Sequence, residues 1–129
     1  LRMDVKSVIT NPSGQMGLPN HGVYEVSGLA WSGHGSIDSV DVSADGGSSW
    51  RRAEIQSQPG PYRPVRFRIP WRWTGQPAVL QSRASDSAGH QQPTRAEALT
   101  NSAPGLTYHY NGIQSWQVAQ SGRVSNVFL

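Results

Sequence analysis

Histidine, cysteine and carboxylate side chains bound the chemistry a chain can perform, and here they are sparse. The four histidines are His21, His34, His90 and His109. No two are spaced i, i+2 or i, i+4, the local spacing that places two imidazoles on one metal ion, and three of them sit beside glycine, a mark of loops. Cysteine is absent, which excludes disulfides, thiolate metal sites and a cysteine nucleophile. The run Ser32-Gly33-His34-Gly35-Ser36 matches neither a phosphate loop nor a dinucleotide loop, and no Gly-x-Ser-x-Gly elbow occurs. The carboxylates Asp38, Asp41, Asp45 and Asp86 fall on expected strands and turns, and no spacing singles out an acid/base pair. The expectation is therefore no catalytic residue and no metal ligand within the chain.

Three clusters hold the remaining distinctive side chains. Ser43-Ala44-Asp45-Gly46-Gly47-Ser48-Ser49-Trp50 is a turn. Glycine accepts positive φ there, and aspartate bonds nearby backbone N–H groups. The turn should join two strands, with Trp50 just beyond it capping the core. Its Ser-x-Asp-x-Gly-x-Ser-Trp spacing is similar to the Asp-box hairpin of sialidase-like propellers, but one copy in 129 residues cannot build a propeller. Trp71-Arg72-Trp73 places two indoles on one face of a strand. With Trp31 they suit a sugar-stacking platform, or the end of a core, or the anchors of a subunit interface, where tryptophan and arginine are enriched. Tyr108-His109-Tyr110-Asn111-Gly112-Ile113-Gln114-Ser115-Trp116 gathers three aromatics, a histidine and amides. It suits either a loop touching a partner or site, or simple packing.

These clusters need elements to hold them. At 129 residues the chain is expected to form one domain, and 36% hydrophobic against 15% charged residues gives it a true core. Fourteen glycines and nine prolines punctuate it throughout. No window sustains helical periodicity, and residues 94–99 are too short to stand as a helix. Strand signals recur at residues 5–10, 23–31, 37–43, 48–55, 65–69 and 79–85, with more within 108–129. In the fifth, Val65, Phe67 and Ile69 alternate with Arg66 and Arg68. About seven short strands, with a turn every ten residues or so, predict an all-β, two-sheet antiparallel sandwich. Residues 91–107 are too long for a hairpin loop and should cross between sheets or run over the surface.

The charge balance is mild, +3, but ten of the eleven basic residues are arginine and eight of those lie between Arg51 and Arg95. They suit a solvated sheet face, or a docking surface for an acidic protein or anionic substrate. No basic cluster on a helix or recognised module points to nucleic acid. No apolar run approaches the roughly 20 residues of a membrane span, and residues 1–6 do not resemble a signal peptide.

Several segments, in order, carry a resemblance. They are Lys6 to Pro12, Gly22 to Gly33, Val40 to Gly47 with Trp50, Arg66 to Trp73, Ser82 to Asp86 with Gln92-Pro93-Thr94, and Asn111 to Trp116. Together they resemble the C-terminal dimerisation domain of sulfite-oxidase-type molybdenum enzymes. The ending Tyr108 to Trp116, with Val124 to Val127, is most similar to the sulfane dehydrogenase branch of that family, from thiosulfate oxidation. The resemblance implies an immunoglobulin-like sandwich that spans residues 1–129 and holds two subunits together as a homodimer. Trp71, Arg72 and Trp73 are then the candidate interface residues. It implies that molybdopterin, with its cysteine ligand, belongs to a preceding domain of the parent enzyme, so that this piece carries no cofactor and does not turn over alone. It further implies a c-type cytochrome partner and a periplasmic location. The loop Tyr108, His109, Tyr110, Asn111, Gln114, Trp116 and Gln117 would lie nearest the substrate entrance. Sulfite oxidases usually continue Trp-His-Arg there, and Gln117-Val118 departs from that pattern, which suits a carrier-bound sulfur chain better than a small dianion. The rival readings are a carbohydrate-binding β-sandwich, resting on the tryptophans, and a free-standing hydrolase, which lacks a nucleophile–base set.

Overall fold

The computed structural model describes residues 5–12, 17–33, 35–56, 64–94 and 113–127. Every regular element among them is a strand: β1 (Lys6–Asn11), β2 (Gly22–Trp31), β3 (Ile37–Ser43), β4 (Arg51–Arg52), β5 (Glu54–Gln56), β6 (Val65–Trp73), β7 (Ala78–Asp86), β8 (Ser115–Val118) and β9 (Val124–Val127). They form a four-stranded sheet, β1-β2-β6-β5, and a five-stranded sheet, β4-β3-β7-β8-β9, with antiparallel ladders throughout. This is the expected immunoglobulin-like sandwich, with nine strands where about seven were expected.

Period-two alternation explains which way each strand faces. In β6, Val65, Phe67 and Ile69 are buried and Arg66, Arg68 and Pro70 are exposed. β2 pairs with β6 from Gly22↔Trp73 to Ala30↔Val65, so Val26 and Ala30 meet the same core as Phe67. Val40, Val42, Leu80, Ala84, Val118 and Val124 supply the opposite wall.

The stretch expected as one strand over 48–55 is instead two. Arg51 and Arg52 pair with Val42 and Asp41 in the five-stranded sheet, whereas Glu54, Ile55 and Gln56 pair with Arg68, Phe67 and Arg66 in the four-stranded sheet. The chain changes sheets at buried Ala53, whose N–H bonds Val40 O at 2.9 Å. Alternation over a single segment looks the same whichever sheet receives it, so the switch left no mark on the pattern.

Polar ties also cross the core. Ser7 on β1 shares a 2.7 Å hydroxyl contact with Ser82 on β7, and Gln92 Oε1 accepts from Ser7 N–H, Ser7 O–H and Ala84 N–H. Ser32, just after β2, donates to Asp86 at the end of β7 at 2.6 Å. In a chain without disulfides, these contacts join the two sheets where an inter-sheet cystine often does.

Candidate interaction face

The Asp45 turn is a dense hydrogen-bond knot. Ser43 Oγ donates to Asp45 Oδ1 at 2.7 Å and accepts from Gly47 N–H at 2.9 Å, while Ser49 donates to Asp45 through both its N–H and its hydroxyl. Gly46 and Gly47 hold φ of 71° and 96°, the region glycine occupies without a Cβ penalty. The turn also folds back on β7 through Gly46 N–H to Val79 O. Trp50 does not cap the core, contrary to expectation. It lies over the outward side of the five-stranded sheet, with the Arg83 guanidinium 4.2 Å from its ring centroid. Arg83 faces outward because its β7 neighbours Ser82 and Ala84 face in, and Asp41, paired with Arg52 at 2.7 Å and Arg83 at 3.8 Å, shares that side.

Two carboxyls titrate low. The Ser49 hydroxyl, then Ser43 and the Ser49 N–H, lower Asp45 to about 2. Burial pushes Asp86 up, but the Ser32 hydroxyl, the His90 N–H and charge, and the Ala88 N–H together outweigh it and hold the carboxyl below its ordinary value. A depressed folded-state pKa means that the unfolded chain binds the proton first. These groups therefore contribute stability fully above about pH 4 and lose it as pH falls, down to about 2 for Asp45. Thermal melts from pH 6 to pH 2 should show Tm falling in this acid range. The Asp45→Asn/Asp86→Asn double variant should start lower and give a flatter profile. An equally steep profile would move the effect to other carboxyls.

The three tryptophans do not form one platform. Trp31 pairs with Lys6 at one end of β2 and, alternating with buried Ala30, faces outward. Trp73 pairs with Gly22 at the other end, about 30 Å away along the strand. Trp73 is buried, with its indole N–H donating to Gln76 O at 3.0 Å, and Trp71 is half-buried against the core. His21 and Tyr24 pack edgewise on Trp73, with centroids 5.4 and 6.5 Å away. Of the proposed interface trio only Arg72 is exposed. The sugar-platform reading loses its geometric basis here.

Tyr108, His109, Tyr110 and Asn111 lie outside the described residues. Gln114 is half-buried, Trp116 packs against the core, and Gln117 is exposed on β8. Among the described residues no group of three His, Cys, Asp or Glu side chains is placed to hold a metal ion.

The outward side of the four-stranded sheet is the open feature. Arg66, Arg68 and Arg72 project from β6, Glu25 and Val23 from β2, and Glu54 from β5. Two grooves, of about 240 and 630 Å³, share Glu25 and Arg68. Sequence reasoning singled out the arginines as a group. It missed the grooves, because the sheet switch at Ala53 is what sets Arg51 and Arg52 of β4 beside Glu54 and Arg68 at the edge of this sheet.

A family model described as the Mo-co oxidoreductase dimerisation domain matches residues 1–116. Sulfite oxidase from Gallus gallus is 31% identical over 110 residues, covering 77% of this chain and 23% of that protein. Nitrate reductase [NAD(P)H] from Hordeum vulgare is 31% identical over 77 residues, 55% of this chain and 8% of that protein. The crystal structure of the sulfane dehydrogenase SoxCD from Paracoccus pantotrophus superimposes with a TM-score of 0.92 at 45% identity, covering 98% of this chain and 33% of that one. The chain therefore spans about a quarter of the matched sulfite oxidase and a third of the matched dehydrogenase chain.

Proposed function

The chain belongs to the Mo-co oxidoreductase dimerisation domain family, and from that premise we propose that it pairs two subunits of a molybdenum-dependent oxidoreductase that oxidises a sulfane-type sulfur compound. The observation that carries the substrate class is the 45% identity to the sulfane dehydrogenase chain at a TM-score of 0.92. The all-β body suits the pairing role, because its charge-bearing faces are held by ladders rather than loops.

The described residues do not fit the molybdenum cofactor. The chain has no cysteine for a thiolate ligand, and the described residues gather no ligand cluster. In this reading molybdopterin sits on a part of the parent subunit beyond these 129 residues, with a c-type cytochrome as electron acceptor and a periplasmic location. Those assignments rest on the resemblance to the dehydrogenase.

Sedimentation equilibrium of the chain over a concentration series tests the pairing. A dimer is expected, and a symmetric one would present the same patch on both copies. A monomer throughout would remove the pairing role from this domain.

A further inference from the structure

The four-stranded sheet's outward face, with the adjoining edge at β4, carries more arginine than carboxylate. Its two grooves are lined by Arg51, Arg52, Arg66 and Arg68 against Glu25 and Glu54. Arg68 is taken by Glu54 at 3.3 Å and Arg52 by Asp41 at 2.7 Å. Arg51 and Arg66 are exposed and have no ion pair or side-chain hydrogen bond among the described residues. Apolar side chains line the larger groove with Arg51. Val23 is 60% exposed, the one large hydrophobic so exposed among the described residues, and Pro70 is exposed beside it.

The geometry points to this face as the docking surface for an acidic protein partner, with Arg51 and Arg66 as the uncompensated cations that select it. Charge complementarity decides the occupant. A second copy would set grooves lined by four arginines and two glutamates against the same excess of cations, and like net charge across an interface acts against association. A nucleic acid would answer the arginines with phosphates but would leave Val23 and Pro70 without apolar contact. An acidic protein surface answers the free arginines and offers apolar side chains to the grooves. It is a partner other than the twin subunit, so the inference stands apart from the pairing role.

The test uses a labelled peptide in which glutamate alternates with alanine, followed by fluorescence anisotropy. Saturable binding is expected, weakening steeply as salt rises and the Debye length shrinks from about 10 Å at 0.1 M. Arg51→Glu/Arg66→Glu should weaken it about tenfold or more, a loss of about 1.4 kcal/mol or more. Both side chains are exposed, so the fold should survive, and circular dichroism checks this. Arg123→Glu, exposed at the start of β9, alters net charge elsewhere and should leave binding unchanged. Equal loss in Arg123→Glu, or no saturable binding by the folded wild type, overturns the proposal. So does duplex DNA binding as tightly as the peptide. If Arg51→Glu/Arg66→Glu changes the oligomeric state, the occupant is a second copy and the proposal is likewise overturned.

Discussion

Replacing Gly28 with alanine is expected to destabilise the protein by about 3 kcal/mol or more, lowering Tm by roughly 10 °C or more. Gly28 is buried in the middle of β2, between Ile9 on β1 and Phe67 on β6. A Cβ built there would stand 1.9 Å from the backbone oxygen of Val8 and 2.7 Å from the Phe67 ring. The ring can shift. The Val8 oxygen belongs to a β1 ladder already irregular between Ile9 and Asn11, so admitting a methyl group means moving a strand. The two obstacles separate in a double-mutant comparison. Phe67→Leu relieves the ring contact at a modest cost of its own, and Gly28→Ala/Phe67→Leu should remain about as unstable as the two single losses added. Full rescue by Phe67→Leu would show that the ring, and not the backbone approach, makes glycine necessary.

Gly28 also marks the limit of what the sequence made legible. Its place inside a strand was evident from the apolar pattern around it, but not that another backbone would press against it. The alternation of Val65, Phe67 and Ile69 with Arg66 and Arg68 announced both the core and the cationic face, and the structure has them so. Such pairing needs only period two, which is a local property. What failed was tertiary. Trp50 was expected to cap the core just past its turn, yet a guanidinium from a strand distant in sequence covers it outside. The 48–55 strand was expected whole because a sheet switch costs nothing in local pattern. Trp73 was open among platform, core and interface, since alternation names a face but not what covers it, and its burial required the fold of His21 and Tyr24 around it. The candidate docking face was half legible: its arginines were visible as a run, and their convergence with Arg51 and Arg52 was not.

The polar seam between the sheets carries the second large effect, and although its segments were among those carrying the family resemblance, no pattern in them showed that Gln92 joins the sheets. Gln92 follows β7 and is 2% exposed. Its Oε1 accepts from Ser7 N–H at 3.1 Å, Ser7 O–H at 2.7 Å and Ala84 N–H at 3.3 Å, so one oxygen joins the first strand of one sheet to the central strand of the other. Its own N–H bonds Ala84 O at 2.9 Å, and Pro93 O accepts from Ile113 N–H at 2.9 Å, which ties the segment to the approach of β8. Gln92→Leu keeps the volume and removes the acceptor. The Ser7 hydroxyl can turn to Ser82, 2.7 Å away. The two backbone N–H groups lose this acceptor, and each buried donor left unsatisfied costs about 1–3 kcal/mol. Part of that is offset, because Gln92 Nε2 is itself buried without a partner and the substitution removes it. A net loss of about 2–4 kcal/mol is expected in chemical denaturation. Ser82→Ala is the control. It deletes a hydroxyl of the same seam, but Ser7 keeps Gln92 as its acceptor, so it should cost about 1 kcal/mol or less. The ordering of the two variants is the discriminating result. If Gln92→Leu proved no worse than Ser82→Ala, the amide would be filling space, and apolar packing alone would be holding the two sheets together.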